Sequence, residues 1–217
     1  MKKIALFPMA LVMAASPLAF ATGKQVVCYT ASGGNTYPFY GASQYGCRFQ
    51  QLIYEAVINY AGKINEVEWF KYAGSAPDGA TYKNVKVYLC HTDKTGLSTT
   101  FAENYKGTPV LVADHASLFI PPATNWFPLK LKTPFTYNDT DNLLVEIQWS
   151  DTVYGTSCSI YTGVAGTGTR RCYAWGPEPS TLATGSGDTV TYYTRLSFGA
   201  YTAVAPTSLG RVKTLFK

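Results

Sequence analysis

The chain has 217 residues and a formal net charge of +5, enough for one domain and too mildly and evenly basic to track the phosphates of a nucleic acid. Aromatic residues make up 15% of it and charged residues only 14%, with 17 tyrosines, a mix that suits pleated sheets with polar, hydrogen-bonding faces. A chain of this size buries roughly 70% of its unfolded surface and needs neither metal nor disulfide to fold.

The first 21 residues read as a secretory leader. Lys2 and Lys3 supply a positive start, an apolar stretch over 4–18 follows, and Ala19-Phe20-Ala21 gives a small-x-small cleavage site. The apolar stretch, broken by Pro8 and Pro17, is too short to span a bilayer well, and no later stretch is apolar for long enough. Losing the two leader lysines lowers the charge from +5 to +3. The expected product is a domain over 22–199 with a tail over 200–217, secreted or held at the cell surface, with no membrane span after cleavage. In the tail, Leu209, Val212 and Leu215 have the spacing of a short helix beside basic Arg211, Lys213 and Lys217. It is read as a frayed end or strap, with a sorting segment as the alternative.

Strand signals dominate the rest. Residues 25–30 form a short β-rich run, and 31–46 a Gly/Ser/Asn/Tyr loop. A strand over 47–54 leads into a brief helical turn at 55–60. Over 64–72, Val67 and Trp69 alternate with Glu66 and Glu68. Pro77-Asp78-Gly79 marks a turn. Val85, Val87 and Leu89 alternate with Lys86 and Tyr88, the clearest half-buried strand. Residues 98–105 read as a short helix or irregular connection. Further strands are expected at 110–112, 126–131, 143–149, 159–162, 171–175 and 190–198. About ten short strands with no long helix predict an all-β antiparallel sandwich of jelly-roll type.

Export permits disulfides among Cys28, Cys47, Cys90, Cys158 and Cys172. Residues 157–173 read as a hairpin turning near Ala165, which sets Cys158 opposite Cys172 within bonding range. Cys28 with Cys47 is a second pairing suggested only by nearness. Cys90 is left over as a small buried residue.

Three blocks, at 37–56, 84–105 and 133–151, resemble a jelly-roll β-sandwich accessory domain of large secreted bacterial proteins. The features are an aromatic loop before Arg48-Phe49-Gln50, a strand ending Leu89-Cys90-His91-Thr92, and Pro134-Phe135-Thr136-Tyr137 leading into Asn142-Leu143-Leu144-Val145-Glu146. Cys90 stands where that pattern has glycine. The resemblance spans about half the chain and implies fold and export, with no agreed catalytic site.

Candidate chemistry is sparse. His91 and His115 are the only histidines, and neither HExxH nor CxxC occurs, so no zinc site or other cofactor is expected. Without a G-x-S-x-G elbow a serine hydrolase has no support. Asp139 and Asp141, in an oxygen-rich stretch, are calcium candidates set against a plain turn. Glu66, Glu68 and Glu146 are read as a solvated sheet face, and an enzyme is not expected. Aromatic surface is the better lead: Trp175, Tyr173, Tyr40 and Tyr45 are the candidate ligand-binding residues, able to offer ring faces to sugars or to a partner protein, set against rings that simply pack over the ends of the sandwich. The expected role is a non-catalytic binding module for an extracellular glycan or surface protein. The alternative is a structural or adhesive surface subunit.

Overall fold

The computed structural model describes residues 23–41, 46–152, 157–164 and 166–199. The leader at 1–21, the tail at 200–217, Tyr45 and Ala165 fall outside the described residues.

In chain order the elements are β1 (Gln25–Cys28), β2 (Ala31–Asn35), β3 (Gly46–Ile53), α1 (Glu55–Ile58), β4 (Gly62–Phe70) and β5 (Ala80–Thr92). A 3-10 turn (Phe101–Asn104) then precedes β6 (Val110–Ile120), β7 (Trp126–Tyr137), β8 (Asn142–Trp149) and β9 (Asp151–Thr152). The last are β10 (Ile160–Gly163), β11 (Arg171–Gly176), a 3-10 turn (Pro179–Thr181), β12 (Ser186–Asp188) and β13 (Thr194–Phe198). They build a four-stranded sheet, β1-β13-β4-β7, and a seven-stranded sheet, β12-β11-β3-β8-β5-β6 with β9 beside β5. All pairings are antiparallel, and the two sheets pack as a sandwich, as the alternation predicts. A short ribbon of β10 and β2 lies beside them.

Two-residue periodicity explains the core. Val67 and Trp69 of β4, Phe127 and Leu129 of β7, and Leu196 and Phe198 of β13 point inward from the smaller sheet. Phe49 and Ile53 of β3 and Val145, Ile147 and Trp149 of β8 meet them from the larger one. In β5 both Tyr82 and the Val85, Val87, Leu89 series are fully buried, although their spacing is out of phase. Asn84, with φ 53°, sits between the two runs, and a left-handed residue, which asparagine tolerates, re-aims the chain there.

Several expectations are corrected. The stretch 31–46 contains β2, whose Ala-Ser-Gly-Gly-Asn sequence carries no β signal and is held by pairing with β10. Gly34 is needed there, because a Cβ would meet the Tyr72 ring at 2.6 Å. Strands β6 and β7 are longer than expected. The expected 157–173 hairpin does not form: β10 pairs with β2, while β11 pairs with β3 and β12. The Cys158–Cys172 disulfide is therefore absent. Cys158 is buried between the sheets and Cys172 under the opposite face of the larger sheet. Cys28 and Cys47 are likewise unbonded, and all five cysteines are buried free thiols. Burial pushes the thiols of Cys28 and Cys158 up to about 12 and that of Cys172 up to about 11.

Candidate binding faces

The motif residues behind the family resemblance meet in space, and they build structure. Gln50 of β3 lies directly opposite Glu146 of β8. The Glu146 carboxylate accepts from Arg48 Nε (3.1 Å), Gln50 Nε2 (2.6 Å), Gln148 Nε2 (2.5 Å) and the Tyr105 hydroxyl. Arg48 also donates to the Leu182 carbonyl (2.7 Å) and Tyr105 Oη (2.9 Å), with its guanidinium 4.6 Å from the centre of the Phe101 ring. Leu97, Phe101, Tyr105 and Leu182 roof this outer face of the larger sheet, giving a second small core. Two loops are tied together to form the roof: Phe101 N–H donates to the Ala183 carbonyl, and Gly185 N–H to that of Thr99. Glu146 is 1% exposed and Glu68 3%, so neither belongs to the solvated face expected for them. Charge pairing makes this burial tolerable. His91 packs on Phe135 and Tyr137, its ring centre 4.9 and 5.8 Å from theirs. Its Nε2 accepts the Asn138 N–H, and burial lowers its pKa.

Asp139 and Asp141 lie in the turn between β7 and β8. Asn138 Oδ1 accepts the backbone N–H groups of Thr140 and Asp141, and the Asp141 carboxylate takes Lys106 Nζ (2.6 Å) and Asn138 Nδ2 (2.9 Å). Those donors hold the Asp141 carboxyl below its usual range. Among the described residues no three His, Cys, Asp or Glu side chains converge on a common point.

Three of the four aromatic residues expected to bind ligand do come together. Tyr40 and Trp175 have ring centres 5.3 Å apart, and Tyr37 bridges Tyr173 (4.2 Å) and Trp175 (5.1 Å). Tyr45 lies outside the described residues. Beneath the cluster, Arg171 is fixed by both oxygens of Asp188 (2.7 Å each), by Asn35 Oδ1 (2.9 Å) and by the Tyr192 hydroxyl. Trp175 also contacts buried Trp149 (6.0 Å), so the cluster continues the core outward and its rings are half-buried.

A larger aromatic set occupies the outer face of the four-stranded sheet and the adjoining ribbon. Phe70 of β4 is directly opposite Trp126 of β7, with ring centres 5.2 Å apart at 89°. Tyr193, just before β13, reaches both Trp126 (4.8 Å) and Phe70 (6.0 Å). Tyr161 of β10 extends the row from Phe70 (5.6 Å) to Tyr72 (4.8 Å). No protein-family model and no curated protein matches the chain. The function has to be read from these surfaces themselves.

Polar groups fix the row in place. Arg195 of β13 donates from Nε and Nη2 to the two oxygens of Glu68, 2.6 Å each, and its guanidinium lies 4.5 Å from the centre of the Trp126 ring. Ser197 adds a hydrogen bond to Glu68 (3.2 Å). Lys71 is 1% exposed, and its ammonium donates to the carbonyls of Ala76, Pro121 and Pro122 at 2.7–2.9 Å, anchoring the backbone that carries Tyr72. Sequence reasoning missed this row. Alternation does place Phe70 on the face of Glu66 and Glu68, and Tyr193 on that of Arg195. What was invisible is that those faces are neighbours.

Proposed function

We propose that this chain is a secreted or surface-displayed, non-catalytic binding module, akin to the jelly-roll accessory domains it resembles, that holds an extracellular ligand on the outer face of its four-stranded sheet. The observation carrying the proposal is the row Tyr72, Tyr161, Phe70, Trp126 and Tyr193. Tyr72 is exposed and the other four rings are half-buried; they touch one another in sequence and are braced by the Arg195–Glu68 pair. Contiguous aromatic surface of this kind marks interaction sites, and a braced surface loses little freedom when it binds. The cluster around Trp175 supports the reading less, since it is anchored to the core. Binding of the purified protein to intact bacterial cells and their extracellular matrix, beside a Phe70→Ala/Trp126→Ala variant, tests the proposal. Binding lost in the variant supports it, and equal binding by both proteins overturns it.

A second reading, a structural or adhesive surface subunit, draws on β6. This strand is an edge of the larger sheet and carries the exposed Val110, Leu111 and Phe119, the last 58% exposed. Apolar edges of this kind favour pairing with another chain. Concentration-dependent assembly abolished by Phe119→Lys supports that reading, and a monomer at all concentrations overturns it.

A further inference from the structure

Resting on that reading of the aromatic face, we infer that its ligand is a neutral glycan, a chain of uncharged pyranose rings lying along the row from Tyr72 to Trp126. The first reason is shape. Phe70, Trp126, Tyr161 and Tyr193 come from four separate segments yet form one continuous row, with successive ring centres 4.8–6.0 Å apart. Successive rings meet edge to face or tilted, so the row offers both ring faces and ring edges along its length. Sugar rings present flat C–H faces that match aromatic faces and edges, and they need no deep aliphatic pocket.

The second reason is hydrogen bonding. The hydroxyls of Tyr72, Tyr161 and Tyr193 have no hydrogen-bond partner among the described residues, so each ring brings an unspent donor and acceptor to the surface. A ring with a polar tip suits a ligand that is apolar on its faces and hydroxylated at its rim.

The third reason is charge. Arg195 is neutralised by both oxygens of Glu68, and Glu66 lies opposite Lys130 across β4 and β7. The cation in contact with the rings is therefore already committed to a carboxylate and is not free to select a uronate or sulfate. Arg195 acts as a positioning residue for Trp126, its guanidinium already committed.

Affinity electrophoresis of the purified protein in gels containing neutral polysaccharides (a glucan, a xylan, a mannan) or acidic ones (alginate, polygalacturonate) tests the inference. It is run beside Trp126→Ala, Trp126→Phe and Trp175→Ala, with thermal unfolding to confirm that each variant is folded. Retardation by a neutral polysaccharide is expected to be insensitive to salt, about 30-fold weaker in Trp126→Ala, partly restored in Trp126→Phe and unchanged in Trp175→Ala. Retardation only by acidic polysaccharides, falling with salt, overturns the neutral-glycan inference. So does retardation by a neutral polysaccharide that Trp126→Ala leaves unchanged. Cell binding that needs Trp126 but is removed by protease treatment of the cells, with no polysaccharide retarding the protein, assigns the face to a protein ligand: the inference falls while the binding-module proposal stands. Absence of binding to cells and polysaccharides alike overturns both.

Discussion

The two outer faces of the sandwich carry the same device and use it differently. On the larger sheet, Arg48 pairs with Glu146 and stacks on Phe101; on the smaller one, Arg195 pairs with Glu68 and stacks on Trp126. The first pair lies under a roof of Leu97, Tyr105 and Leu182, and all its polar atoms serve the fold. Among the described residues the second has no such roof, and its aromatic neighbours stay partly accessible. An arginine–glutamate pair beside a ring is thus no functional signature by itself. Whether a loop covers the ring decides between a second core and a binding face.

The sharpest way to break this comparison is to remove each arginine. Arg48→Ala leaves Glu146 buried with no cation beside it and is expected to cost about 3–5 kcal/mol in urea denaturation. Arg195→Ala, at the open face, is expected to cost roughly 1.5–3 kcal/mol, the range for hydrogen bonds to charged groups. Equal losses would mean that the roof does not matter.

Thiol chemistry sharpens the same contrast. Alkylation of the unfolded, unreduced protein is expected to add five groups, where a Cys158–Cys172 bridge would leave three. In the folded protein, Cys90 and Cys172 beneath the roof are expected to label at lower urea than Cys28, Cys47 and Cys158 between the sheets, because loop roofs open before sheet cores. Simultaneous labelling of all five would make the roof part of one cooperative unit.

Two pH effects follow, the alkaline one larger. Cys28 and Cys158 keep their protons up to about 12 when folded, against an ordinary value of 9.0. The folded state therefore binds more protons across that window. Stability is fully present below pH 9 and falls as pH rises through it, by about 1.4 kcal/mol per pH unit for each thiol. In acid, the pKa of His91 is lowered by burial beneath its ordinary 6.5, so the unfolded chain takes up the proton first. Stability should fall slightly as pH drops below that value, and the acid-side loss in thermal midpoint should shrink in His91→Gln. An unchanged alkaline midpoint would mean that these thiols reach solvent.

How much of this was legible in the sequence can be judged residue by residue. The inward series Val85, Val87 and Leu89 and the Val67–Trp69 pair were readable, because alternation in a strand is a local signal. Tyr40, Tyr173 and Trp175 were readable as aromatic candidates, and the reading that such rings pack over the sandwich is the one Trp175 fits, through its contact with Trp149. Phe70 and Trp126 were not linked, since 56 positions separate them and only the register of β4 on β7 makes them opposite. Glu68 and Glu146 read as surface residues because a solvent face and a roofed or ion-paired face show the same alternation.

The amino-acid order alone determined that the chain folds as antiparallel strands with one side of each buried, since side chains alternate with period two whatever their partners. Tertiary structure alone decided which strands became neighbours, which outer face received a roof, and that the cysteines stay apart. Each of these depends on contacts between residues far apart in the chain, and no local pattern encodes them.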